Sequence, residues 1–180
     1  MLKKITSFVE LYRTQDNVRE FNEVREERKS LFFCAGLLYR INQSGEYEVL
    51  IIDYRADGVG EVQIKFPGGR SSLGETPKDT LWNSLRREVA YKYQSRKLRI
   101  VFYDTWFKKG SKEDIDHVKI FFSEEVPFSR SYFFSEIQKS DYSETTNPRW
   151  EKISRKLIES VFYTHQRPLM CLAKFLNITL

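Results

Sequence analysis

The 180-residue chain is poor in the side chains that several common chemistries need. It has two histidines, His117 and His165, standing far apart, so neither a histidine-based metal site nor a Ser-His-Asp triad is supported. Its two cysteines, Cys34 and Cys171, sit among apolar neighbours without zinc spacing, and buried reduced thiols are expected in place of a disulfide framework. No apolar run approaches the length of a membrane span, so no membrane partner is expected. The opening Met1-Leu-Lys-Lys-Ile-Thr-Ser runs into charged residues and does not read as a signal peptide. The expected setting is soluble, reducing and cytoplasmic. Nucleic acid is not expected as a partner, because the chain lacks an RNP-like aromatic motif, a zinc finger and an evident helix-turn-helix.

What the chain does have is core-forming material. Hydrophobic residues make up 41%, and 14 Phe and 10 Tyr suit a strand-rich interior. The length fits one domain plus a short extension. The formal charge is +5, with 30 Lys and Arg against 25 Asp and Glu spread along the chain. A solvated mixed-charge surface explains this balance, and a preference for anionic ligands such as nucleotides is the second reading.

Residues 1–29 combine Ile5, Phe8, Val9, Leu11 and Tyr12 with a charged tail, which predicts a helical extension packed on a domain of residues 30–180. Residues 31–41 and 47–54 are apolar runs on either side of the turn signal Asn42-Gln-Ser-Gly45, and read as a hairpin. Val62 to Phe66 alternates and stops sharply at Pro67-Gly68-Gly69. Thr76 and Pro77 can open a helix to about Tyr91, with Leu81, Leu85 and Val89 as its core stripe. Leu98 to Phe107 and Val118 to Val126 read as strands. Phe128 to Asn147 is aromatic and serine-rich, and holds either a short helix or a long loop; in either case core packing or a partner interface is its first expected role, and base stacking the second. Helix is expected from Trp150 through Val161, and Pro168 is expected to open a last helix. The order of strands, helix, strands and helices predicts one α/β domain with a mixed sheet covered on both faces.

Phe66 to Tyr91 carries the chemical signal. Taken singly, Pro67-Gly68-Gly69 reads as a turn, Gly74-Glu75-Thr76-Pro77 as a helix start and Arg86-Arg87-Glu88 as a solvated face. Taken together, their spacing resembles the box of the Nudix hydrolase family, G-x5-E-x7-R-E-U-x-E-E-x-G-U, where U is apolar. Without gaps, Gly69 is the leading glycine, Glu75 the first glutamate, Leu85 the inner apolar position, Glu88 the last glutamate of the E-E pair and Tyr91 the final position. Asn83 stands at the arginine, Ser84 and Arg87 at two glutamates, and Ala90 at the glycine. Taking Arg87-Glu88 as the R-E pair needs an insertion and loses the E-E pair to Tyr91 and Lys92.

The resemblance implies a Nudix-type α/β/α sandwich with a mixed sheet and, here, an N-terminal helical extension. It implies a nucleotide or other diphosphate small molecule as partner, a homodimer as one assembly the family uses, and Mg²⁺ or Mn²⁺ as cofactor if the chain is active. Glu75 and Glu88 are the residues left to hold such an ion and act in catalysis; Gly68, Gly69, Arg70, Ser84, Arg86 and Arg87 are the expected ligand-binding set. Ser84, Arg87 and Glu88 share one helical face, and their charges sum to near zero where an active member has three carboxylates. Magnesium binds through such carboxylates plus substrate phosphates, so cleavage is expected to lose about 3–5 kcal/mol or more of transition-state stabilisation. The expected function is therefore diphosphate binding with weak or no hydrolysis. The alternative is an active metal-dependent hydrolase of a nucleoside diphosphate linked to another moiety, helped by Glu61, Glu124, Glu125 or Glu144 from other loops.

Overall fold

The computed structural model describes residues 32–56, 60–72, 74–91, 98–107, 115–129 and 145–180. The expected extension at residues 1–29 lies outside them, as do residues 130–144 of the aromatic stretch.

The first hairpin forms as expected. Strand β1 (Phe32–Ile41) pairs antiparallel with β2 (Tyr47–Tyr54), Tyr39 opposite Val49 and Ile41 opposite Tyr47. Asn42 closes the turn, its Oδ1 accepting the Ser44 and Glu46 backbone N–H groups at 2.9 Å each. The remaining strands are β3 (Gln63–Lys65), β4 (Gly68–Arg70), β5 (Arg99–Phe107), β6 (Ile115–Glu125) and β7 (Thr145–Lys152). The sheet order is β3-β2-β1-β6-β5, with β4 added on β1 and β7 on β2. β1 and β6 run parallel, from Phe32 opposite Val118 to Tyr39 opposite Glu125, while the other described strand pairs are antiparallel, so the sheet is mixed.

Alternation along the strands builds two cores. On one face Phe32, Cys34, Leu38 and Ile120 pack with Leu81, Leu85 and Val89 of helix α1 (Pro77–Val89). On the other, Ala35, Leu37, Ile51 and Phe121 pack with helices α2 (Arg155–Ser160) and α3 (Tyr163–Phe175), through Leu157, Leu169 and Leu172. The architecture is the α/β/α sandwich. Cys34 is buried and Cys171 half-buried, and both thiols are free.

Three boundaries differ from expectation. Pro67-Gly68-Gly69 does not end the strand region, because Gly68–Arg70 pairs with β1 as β4. The segment from Trp150 begins as strand, not helix: β7 pairs with β2 as far as Lys152 opposite Glu48. Trp150 packs on the α1 core whereas Ile153 and Leu157 enter the other core, so these positions never form one helical stripe. Helix starts at Arg155, where the Ser154 side chain accepts the Leu157 N–H at 3.2 Å. The last helix begins at Tyr163, and Pro168 lies inside it; burial there offsets the hydrogen bond a proline forgoes.

Candidate functional site

Close backbone approach shapes the site. A Cβ on Gly68 would stand 2.3 Å from the Cys34 carbonyl oxygen, so only glycine lets β4 lie on β1 at that point. A Cβ on Gly69 would stand 2.7 Å from Ser84 Oγ and 2.9 Å from an Arg87 guanidinium nitrogen. Helix α1 therefore rests directly on the glycines, with Ser84 and Arg87 at the contact. The strand is anchored from behind: Phe66 donates its N–H to His165 Nδ1 at 3.0 Å, and Gly36 donates to the Pro67 carbonyl at 2.9 Å.

The sequence opens α1 as expected. Thr76 is the N-cap, Pro77 the first residue, and Asp79 completes a capping box. The helix ends at Val89, two residues before the expected end. There the Tyr91 N–H reaches back to the Leu85 carbonyl at 3.1 Å, and the Tyr91 ring stacks on Trp82 at 5.8 Å. Ala90 makes the turn with φ of 46°, a left-handed conformation, at the position where the resemblance expects glycine.

Both glutamates have internal donors. Glu88 is 6% exposed, and its Oε2 accepts the Gly68 N–H at 2.6 Å. Glu75 braces its own loop: Oε2 accepts from the Ser72 N–H at 2.7 Å and the Thr80 hydroxyl at 3.2 Å, and Oε1 accepts from the Asn83 amide at 2.6 Å. Asn83, Thr80 and Ser72 thus belong to the site, and nothing in the sequence pointed to them beyond Asn83 standing at a pattern position. Ser84 is buried, while Arg70, Arg86 and Arg87 are exposed. Of the helpers expected from other loops, Glu124 and Glu125 lie in β6, Glu61 is exposed before β3, and Glu144 lies outside the described residues. Among the described residues no three His, Cys, Asp or Glu side chains group to hold a metal ion.

A divalent ion fits this arrangement poorly. Magnesium asks for several oxygen ligands in near-octahedral array. Here the helix face offers a serine hydroxyl, a guanidinium and one carboxylate already hydrogen-bonded to backbone. The cationic group beside Gly69 would repel a second cation.

His165 is buried with its Nδ1 accepting a hydrogen bond, which requires the neutral ring. Burial, followed by Lys65 and Lys119, holds its pKa down to about 3. It stacks on Phe66 at 5.2 Å and meets Phe121 edge-on at 5.2 Å, so it acts as an anchor for the segment leading into Gly68-Gly69.

No protein-family model matches the sequence, and no curated protein does. Solved structures do match. A C. elegans Ap4A hydrolase in a binary complex is 15% identical over 82% of this chain and 98% of its own, with a TM-score of 0.55. The NUDIX domain of Shewanella oneidensis NrtR, complexed with ADP ribose, is 10% identical over 91% of this chain and 99% of its own, with a TM-score of 0.60. A mutT/nudix family protein from Listeria innocua is 14% identical over 83% of this chain and 96% of its own, with a TM-score of 0.57. At such identities the likeness carries architecture and no chemistry: the chain has the Nudix fold.

Proposed function

We propose that the chain binds a diphosphate-bearing, nucleotide-like ligand at Gly68, Gly69 and the Ser84–Arg87 face of α1, and hydrolyses it weakly or not at all. The observation that carries this reading is the Arg87 guanidinium set against Gly69 beside Ser84, on the helix face where the family pattern has glutamates. A guanidinium can meet phosphate oxygens through paired N–H donors, supplying positive charge without an ion. Arg86 adds an exposed cation on the same helix, whereas Arg70, expected in this set, is exposed but turned to the other face of the sheet, opposite Phe33. The NrtR structure with ADP ribose supports the ligand class by analogy of fold alone.

Hydrolysis requires a group to activate water and charge to stabilise the leaving phosphate. Glu88 and Glu75 are the residues for such work, and both carboxylates are engaged in holding β4 and its following loop. Calorimetry with ADP-ribose in EDTA and then in excess Mg²⁺ tests the reading. Equal affinity in both conditions, no release of product, and about tenfold or greater weakening by Arg87→Gln are expected. Binding that needs Mg²⁺, or turnover abolished by Glu88→Gln, would establish the metal-dependent hydrolase with Glu75 and Glu88 as ligands instead.

A further inference from the structure

Basic residues scattered through the sequence meet on one face of the sheet. Across β4, β1, β6 and β5, Arg70 lies opposite Phe33, Phe33 opposite Lys119, and Lys119 opposite Asp104. Directly opposed residues point to the same face. Phe33 packs on the core under α2 and α3, so this row is on the side away from α1. Gly69 faces α1, and by alternation its neighbour Arg70 faces the row.

Aromatic rings and cations interleave along it. Lys119 Nζ lies 5.7 Å from the centre of the Phe33 ring. Arg167 of α3 lies 5.7 Å from the centre of Phe102, which precedes Asp104 by two residues on β5. Lys65, at the end of β3, lies 4.5 Å from the Phe162 ring at the start of α3. Arg70 and Arg167 are exposed, while Phe33, Phe102, Phe162 and Lys119 are half-buried. Burial first, then Lys65 and Arg70 against the opposing pull of Asp104, lowers Lys119 to about 8, which leaves it mostly charged at neutral pH.

Neighbouring strands are about 4.8 Å apart, so the row from β4 to β5 spans roughly 14 Å before α3 extends it. A single diphosphate is met by two or three cations at one point. Cations alternating with half-buried aromatic rings over this span suit a chain in which phosphates alternate with bases.

We propose that this face binds single-stranded nucleic acid, with bases against Phe33 and Phe102 and phosphates on Arg70, Lys119, Lys65 and Arg167. It is independent of the diphosphate reading, since it lies across the sheet from Arg87. The test is fluorescence anisotropy of a labelled oligouridylate of about twelve nucleotides, in EDTA, over a salt series. Binding without metal is expected, with affinity falling linearly in log salt. Arg167→Gln and Lys65→Gln should each weaken it about threefold or more and lower the salt slope by about 0.7. Phe33→Leu should weaken it at least about fivefold with little change of slope. Lys156→Gln, on α2, removes the same charge and should change affinity less than about twofold. Absence of binding would overturn the proposal. So would equal losses in Lys156→Gln and Arg167→Gln, which mark diffuse attraction, or displacement of the oligonucleotide by ADP at equal phosphate concentration, which marks a mononucleotide pocket.

Discussion

Ala90 holds a backbone conformation that suits glycine. Its φ of 46° lets the Tyr91 N–H turn back onto Leu85. An L-residue with a Cβ costs about 1–2 kcal/mol there, and part of the gain from glycine is offset by the freer unfolded chain. Ala90→Gly is therefore expected to stabilise the protein by about 0.5–1 kcal/mol, read from urea denaturation. A loss of stability would mean that the helix end is not strained. Gly69 makes the opposite prediction. Gly69→Ala places a Cβ at 2.7 Å from Ser84 Oγ, and repacking should cost about 1–3 kcal/mol. Adding Ser84→Ala removes that oxygen while the Arg87 tip can swing aside, so the double variant should recover most of the loss. No recovery would place the crowding elsewhere. The glycine needs at these positions follow the family spacing and were legible in the sequence. The roles of Asn83, Thr80 and Ser72 as donors to Glu75 were not, because a hydrogen bond between a loop and a helix leaves no periodicity.

At the scale of elements, legibility depended on how long a stretch faced one way. β1, β2 and α1 repeat one pattern over eight residues or more and were read nearly in place. β4 is three residues, two of them glycine, and carries no side-chain pattern at all. β7 and α2 send successive apolar residues into different cores, so spacing alone merged them into one helix. Nor did the sequence reveal His165 as the tie between α3 and the strand entering β4. That tie has a pH consequence. The ring must be neutral when folded, with a pKa of about 3, against 6.5 when free. Its contribution is fully present above pH 6.5 and is lost as pH falls toward 3, because the unfolded chain takes up a proton that the folded one refuses. The limiting slope is about 1.4 kcal/mol per pH unit. His165→Asn keeps an acceptor near Nδ1 but loses the stacking on Phe66, so it should be less stable at pH 7, and its deficit should shrink between pH 6.5 and 4.5. A deficit that stays constant over this range would rule out the buried neutral ring as the source of acid sensitivity.

The described residues form one sheet covered on both faces, and this fixes how damage should spread. Ile120 belongs to the core under α1 and Ile51 to the core under α2 and α3. Ile120→Val and Ile51→Val each remove one buried methylene, at an expected cost of about 0.5–1.5 kcal/mol. The residues share no core, so their costs should add within about 0.5 kcal/mol in the double variant. They do share β1: its Cys34 and Leu38 face one core and its Ala35 and Leu37 the other, so neither core can open without disturbing the strand that closes its partner. A single unfolding transition with an unchanged urea slope is therefore expected for the wild type, both single variants and the double variant. Two transitions, or a slope that drops only in one variant, would show that the α1 face, with the proposed diphosphate site, can melt while the face bearing Phe33 and Lys119 stays folded. The two proposed binding surfaces would then be separable in stability as well as in position.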